Sequence, residues 1–64
     1  MSIGGRIRMA RKLSGLSIKK MAALIGMDPD RLSKYERGVL IPDEKTILRI
    51  ANAIDVNVEF FYLD

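Results

Sequence analysis

Cysteine and histidine are both missing from this chain of 64 residues. Without cysteine there is no disulfide framework and no thiolate zinc site to reinforce a small core. Without histidine, metal ligation falls to carboxylates alone. No segment has the ligand spacing of a calcium loop, so neither a metal nor a cofactor is expected. No glycine-rich phosphate loop and no serine beside a candidate base offers another route to chemistry, and the chain is not expected to be an enzyme. Five glycines and two prolines are scattered along it, which leaves no linker, low-complexity tract or internal repeat. No apolar run reaches the length of a membrane span, and Met1-Ser2-Ile3-Gly4-Gly5 opens no signal-peptide core. A cytoplasmic protein without membrane contact is the expectation.

The length allows one domain, 1–64, close to the lower limit for folding alone. A hydrophobic content of 48% is enough to form a modest core. Acidic residues are absent from residues 1–27, where Arg6, Arg8, Arg11, Lys12, Lys19 and Lys20 give a local charge of +6. Residues 28–64 set Arg31, Lys34, Arg37, Lys45 and Arg49 against eight acids, leaving −3 and a total of +3. A basic half that reaches the middle of a small domain points to a polyanionic partner; a merely solvated lysine and arginine surface is the plain alternative.

Apolar spacing and capping residues predict an all-α chain. Ile3, Ile7, Ala10 and Leu13 recur at three and four residues and mark a first helix over about 3–13, ended by Gly15. Ser17 caps a second helix with Met21, Ala22, Leu24 and Ile25 on its buried side, broken at Gly26. Asp28 as cap and Pro29 at the first helical position start a third, with Leu32 and Tyr35 inward and Gly38 closing it. After the apolar connection Val39-Leu40-Ile41-Pro42, Asp43 caps a fourth helix that buries Ile47, Leu48, Ile50, Ala51 and Ile54. Beyond the turn Asp55-Val56-Asn57, residues 58–63 read as one or two further helical turns. The alternation of Val56, Val58 and Phe60 makes this the one place a strand is arguable. Val58 and one or two of Phe60, Phe61 and Tyr62 complete the core; the remainder, with Leu63, either folds back or forms a self-association patch.

Ser17 to Gly38 carries the functional pattern. A small residue, Ala22, stands midway along one helix where another crosses closely. Gly26 follows four residues later, where the turn requires φ > 0, and Leu32 plugs the crossing. With Arg8-Met9-Ala10-Arg11-Lys12, Gly15-Leu16-Ser17, Leu32-Ser33-Lys34-Tyr35-Glu36-Arg37-Gly38, Pro42 and Ile50-Ala51-Asn52-Ala53-Ile54-Asp55-Val56, nearly the whole chain resembles the phage-repressor/Cro-type (XRE-like) helix-turn-helix family of bacterial and phage transcription regulators. The resemblance implies a compact five-helix lambda-repressor-like DNA-binding domain. In that fold helix 2 crosses the DNA backbone and helix 3, at about 29–37, lies in the major groove.

It further implies base contacts from the start of helix 3, here Pro29, Asp30, Arg31 and Lys34. Lys34 can donate to guanine, whereas Asp30 can only accept, from cytosine or adenine amino groups. Lys12, Ser17, Lys19, Lys20 and Arg37 are the expected phosphate contacts. Lys19 and Lys20 oppose the helix 2 dipole, a conflict that a bound phosphate would relieve; tolerance of an exposed unfavourable pair is the other reading. Arg11 and Glu36 are expected to pair in a mostly structural role, with a secondary DNA contact from Arg11. Two departures from the family stand out. Ile18 replaces the usual glutamine, and Asp28 and Asp30 replace small polar residues or glutamine near the DNA. The function implied is operator binding by a two-fold homodimer with regulation, most simply repression, of a nearby promoter. The alternatives are the DNA-binding part of a longer regulator or an antitoxin, and a helical protein–protein adaptor that has lost DNA binding.

Overall fold

Every helix starts at a residue whose side-chain oxygen accepts a backbone N–H from the first turn, which removes one of the orphan donors at a helix start. Ser2 Oγ takes the N–H of Gly5 at 3.0 Å, Ser17 Oγ that of Lys20 at 3.1 Å, and Asp28 Oδ1 that of Asp30 at 2.9 Å. Asp43 Oδ1 takes Thr46 at 2.8 Å and Asn57 Oδ1 takes Glu59 at 3.0 Å. The elements that follow, in a computed structural model, are α1 (Ile3–Leu13), α2 (Ile18–Ile25), α3 (Pro29–Glu36), α4 (Glu44–Ala53) and a 3-10 segment, Val58–Tyr62. The structure describes residues 2–63, so Met1 and Asp64, the two ends of the expected domain 1–64, lie outside the described residues.

No strand occurs among the described residues, so the arguable strand at 56–63 is not formed. Nor is there a fifth α-helix: the count is four, and the last element is a single 3-10 segment. Its geometry follows from what must be buried. In a 3-10 helix, residues three apart eclipse, which puts Val58 directly in line with Phe61. Phe61 is 1% exposed and sits in the core, with Val58 packed against it, while Tyr62 and Leu63 stay exposed.

The core is Ile7, Ala10, Met21, Ala22, Ile25, Leu32, Tyr35, Ile47, Ile50, Ala51 and Phe61. α3 lies against both α1 and α2, and the 3-10 segment closes over α1 and α4. Three leucines expected inside are outside: Leu13 is 79%, Leu24 59% and Leu48 48% exposed. One reason serves for all three. At about 100° per residue each lies roughly a quarter-turn or more off the centre of its helix's buried stripe. In α1 that stripe is Gly4, Ile7, Ala10 and Arg11, so a buried arginine occupies the last turn's inward position in place of Leu13. Ile54, the C-cap of α4, is only partly buried.

Gly4 marks a close approach of α1 to α3. A Cβ there would meet the Glu36 carbonyl oxygen at 2.8 Å and the Tyr35 carbonyl oxygen closer still. α1 therefore crosses directly over the last turn of α3, against backbone atoms that cannot swing aside. In an ordinary helix Gly→Ala stabilises by about 0.5–1 kcal/mol. Here Gly4→Ala is expected to destabilise by about 1–3 kcal/mol, the usual range for overpacking. Urea unfolding of the variant gives the sign directly, and a gain in stability would refute the contact.

At α4, the Thr46 side chain and then its backbone N–H hold the charged Asp43 carboxylate, with Lys45 and Arg31 assisting, and so keep its pKa below the ordinary value. A carboxylate depressed by folding adds stability above its unfolded pKa and loses it as pH falls through the lower folded value. Asparagine caps as well as aspartate but does not titrate. The stability advantage of the native chain over Asp43→Asn is therefore expected at pH 6 and is expected to shrink below about pH 4. A difference in melting temperature that stays constant from pH 6 to pH 2.5 would refute this.

Candidate nucleic-acid interface

Between α2 and α3 the chain turns at Gly26, whose φ of 75° is the left-handed conformation a side chain resists. Its N–H, with that of Met27, returns to carbonyls of the last turn of α2, Met27 to Ala22 at 2.8 Å. Ala22 and Leu32 are both fully buried at the crossing of the two helices. The C-terminal end of α2 is then closed from α4: Arg49 Nη2 donates to the Ile25 carbonyl at 2.6 Å and reaches that of Gly26 at 3.5 Å. A guanidinium on these carbonyls also complements the negative end of the helix dipole. Sequence reading treated Arg49 only as surface charge. The signal that could have found it is the set of orphan carbonyls at the end of α2, which need a donor from somewhere.

At the other end of the unit, Arg11 makes three hydrogen bonds at once. Its Nε donates to Glu36 Oε2 at 2.7 Å and its Nη2 to Glu36 Oε1 at 3.0 Å, a two-pronged pair. Its Nη1 donates to the Leu16 carbonyl at 2.9 Å. The side chains are 11% and 4% exposed. The hydrogen bond to Glu36 holds the Arg11 pKa above its ordinary value, against the opposing effect of burial. Arg11 thus joins the end of α1, the residue before the α2 cap, and the last residue of α3. The sequence neighbours of its three anchor points are Lys12, Ser17 and Arg37, all exposed, with Lys19 and Lys20 in the first turn of α2. That first turn contains no acid, and Ser17 uses its hydroxyl oxygen as the cap. Ile18 packs against the core, which accounts for an aliphatic residue there.

α3 turns Leu32 and Tyr35 inward. At about 100° per residue the opposite face is the row Asp30, Lys34 and Arg37, with Ser33 beside it. Lys34 Nζ stands 3.1 Å from Asp30 Oδ2. Arg37 Nε donates to Ser33 Oγ at 3.3 Å, which brings into the row a hydroxyl that sequence reading had not singled out. Pro29 is exposed at the start of the helix, to one side of the row. Arg31 lies on the other side. Its Nε donates to Tyr35 Oη at 2.9 Å, its guanidinium is 5.6 Å from the tyrosine ring centroid, and it lines a cleft of about 290 Å³ with Met27, Thr46 and Arg49. Arg31 is therefore turned toward α4, not along the outward row.

Removing one member of a buried pair strands the other, at about 3–5 kcal/mol against 0–1 for an exposed pair. Arg11→Ala is expected to lose stability of that order, enough to unfold most of a domain this small. An unchanged melting midpoint would rule out the clamp.

Residues 7–61 match the helix-turn-helix family. Over 60 residues the chain is 33% identical to the HTH-type transcriptional regulator ImmR of Bacillus subtilis, covering 94% of this chain and 47% of ImmR. It spans about half the length of the curated relatives it matches. Among solved structures it is similar to the restriction-modification controller protein C.AhdI from Aeromonas hydrophila, with a TM-score of 0.87 and 32% identity, covering 92% of this chain and 89% of that one. The P22 c2 repressor protein, solved in complex with a synthetic operator, shares the fold at a TM-score of 0.85 and 21% identity, over 95% of this chain and 92% of that one.

Proposed function

The chain belongs to the helix-turn-helix family of transcriptional regulators, and we propose that it is a single cytoplasmic domain that binds double-stranded DNA and regulates, most simply represses, a nearby promoter. The observation that carries this reading is the placing of two surfaces by one clamp. Arg11 fixes the exposed row of α3 at a set angle to the acid-free first turn of α2. α3 enters the major groove, with Asp30 and Lys34 at its centre and Pro29 and Arg31 at its flanks. Lys12, Ser17, Lys19, Lys20 and Arg37 lie along the phosphates. The N–H groups of the α2 first turn that the cap leaves unused add a dipole favourable to an anion. No step of catalysis belongs to this function.

Two copies bind as a two-fold dimer, each reading one half-site about one DNA turn, or ~34 Å, from the other. Tyr62 and Leu63, 51% and 55% exposed at the chain's end, supply an apolar surface for the pairing. The adaptor alternative drew its support from Asp28, Asp30 and Ile18. Each has a structural use: Asp28 caps α3, Asp30 pairs with Lys34, and Ile18 packs on the core.

Selection from random duplex DNA, followed by titration at several salt concentrations, tests the reading. The expected result is a motif with two-fold symmetry and an affinity that falls steeply with salt. Recovery of no motif, with no salt-dependent binding, would favour the adaptor. Each phosphate contact contributes about 0.9 to the slope of log affinity against log salt. Lys20→Ala is therefore expected to weaken binding to all duplexes alike and to lower the slope by about that amount. A changed base preference with an unchanged slope would remove Lys20 from the backbone contacts.

A further inference from the structure

Asp30 and Lys34 are one turn apart on the outward face of α3, with Oδ2 and Nζ separated by 3.1 Å and side chains 69% and 42% exposed. They are an acceptor and a donor held side by side. We propose that they read a single base pair together, and that they fix its orientation: an amino base toward Asp30 and its keto partner toward Lys34, with C·G preferred to A·T. This rests on the DNA-binding reading above and goes beyond it, since it assigns the two residues to one base pair as a unit.

The chemistry of the groove edge supplies the match. In the major groove every Watson–Crick pair shows one amino donor and one keto oxygen: cytosine N4 with guanine O6, or adenine N6 with thymine O4. Within the pair these two groups are hydrogen-bonded to each other, at the usual N–H···O separation of about 2.9 Å. That is close to the separation of Lys34 Nζ and Asp30 Oδ2. The ion pair can therefore be laid onto the base pair without being broken. An ionised carboxylate has about four lone-pair sites and an ammonium three donors, so each partner keeps its bond to the other and makes a second one to DNA.

Orientation follows from sign. Turning the base pair round sets an amino group against the ammonium and a keto oxygen against the carboxylate, two donors facing and two acceptors facing. The N7 acceptor of the purine then separates the two permitted pairs. Guanine N7 lies beside O6, on the Lys34 side, and gives the ammonium a further acceptor. Adenine N7 lies beside the amino group, on the Asp30 side, where it confronts a carboxylate. The order is C·G, then A·T, then either reversed pair. The couple also carries no net charge, so an aspartate can stand near DNA without a large loss of affinity.

The test is duplex selection with the full native chain, with Asp30→Ala and Lys34→Ala singly, and with the exchange D30K/K34D. Melting curves check that each variant is folded. With the native chain, reversing the base pair is expected to weaken binding on the order of tenfold to a hundredfold. The two single variants are expected to relax the same one position, Asp30→Ala with tighter non-specific binding and Lys34→Ala with weaker. The exchange is expected to invert that position to G·C and leave the rest of the motif alone. If the exchange variant does not fold, the single variants decide. Single variants that relax different positions, or none, overturn the proposal while the native motif still stands. A native chain that selects no duplex overturns the DNA-binding reading and this one with it.

Discussion

The Arg11 guanidinium is the point at which three helices are fixed to one another. A planar fork with five donors can satisfy a carboxylate and a carbonyl together, which an ammonium on a flexible stem does far less rigidly. Glu36 is the last residue of α3 and Leu16 precedes the cap of α2, so one side chain ties the end of α3 to the start of α2. Burial makes the arrangement all-or-none. Two charges with 11% and 4% side-chain exposure are tolerable only when paired. The approach of α1 to α3 at Gly4 lies at the same end of α3, against the carbonyls of Tyr35 and Glu36. Position and charge pairing are thereby secured over the same helical turn.

Helix starts were readable because capping is local. Ser17, Asp28 and Asp43 lie within a few residues of the N–H groups they accept, and the left-handed glycines at 15, 26 and 38 likewise need no knowledge of the tertiary fold. What depends on distant packing was harder to read. Leu13, Leu24 and Leu48 are apolar and next to buried positions, and only the narrowness of each helix's contact decides that they face out. The 3-10 winding of Val58–Tyr62 depends on where Phe61 has to go, which local propensity does not contain. Arg49 reaches back across 24 residues to a carbonyl of α2, and no spacing announces such a contact. The pairing of Arg11 with Glu36 came from the family resemblance, since nothing in residues 11 and 36 alone links them.

Charge shows the same division between what is local and what is folded. Along the sequence the first 27 positions carry six basic residues and no acid, and the rest carry five basic residues with all eight acids. The fold does not keep these halves apart. Glu36 is drawn under Arg11, which leaves Arg37 exposed next to the basic end of α1 and the start of α2. Asp43 is absorbed as the cap of α4, and Asp28 does the same for α3. Among the described residues, Lys12, Lys19, Lys20 and Arg37, from three separate helices or their ends, are exposed cations outside any ion pair, as are Arg8 and Lys45.

Under the proposed function, a division of labour on that surface follows from where the acids sit. Phosphate attraction depends on charge and is indifferent to sequence, whereas discrimination among bases depends on matching donors and acceptors. A recognition helix lined only with lysine and arginine would add affinity for every duplex and raise the non-specific background with it. Here the centre of the α3 row is a neutral couple, Asp30 with Lys34, and the cations stand at its margins. Asp28 reinforces this by accepting the Asp30 N–H, which fixes the backbone of the first turn from which Asp30 projects. Fixing an exposed acceptor in place before a partner arrives lowers the ordering cost of using it. Under the proposed function, the two aspartates that look misplaced in a DNA-facing helix are the means by which affinity is left to the flanks and selectivity is concentrated at the centre.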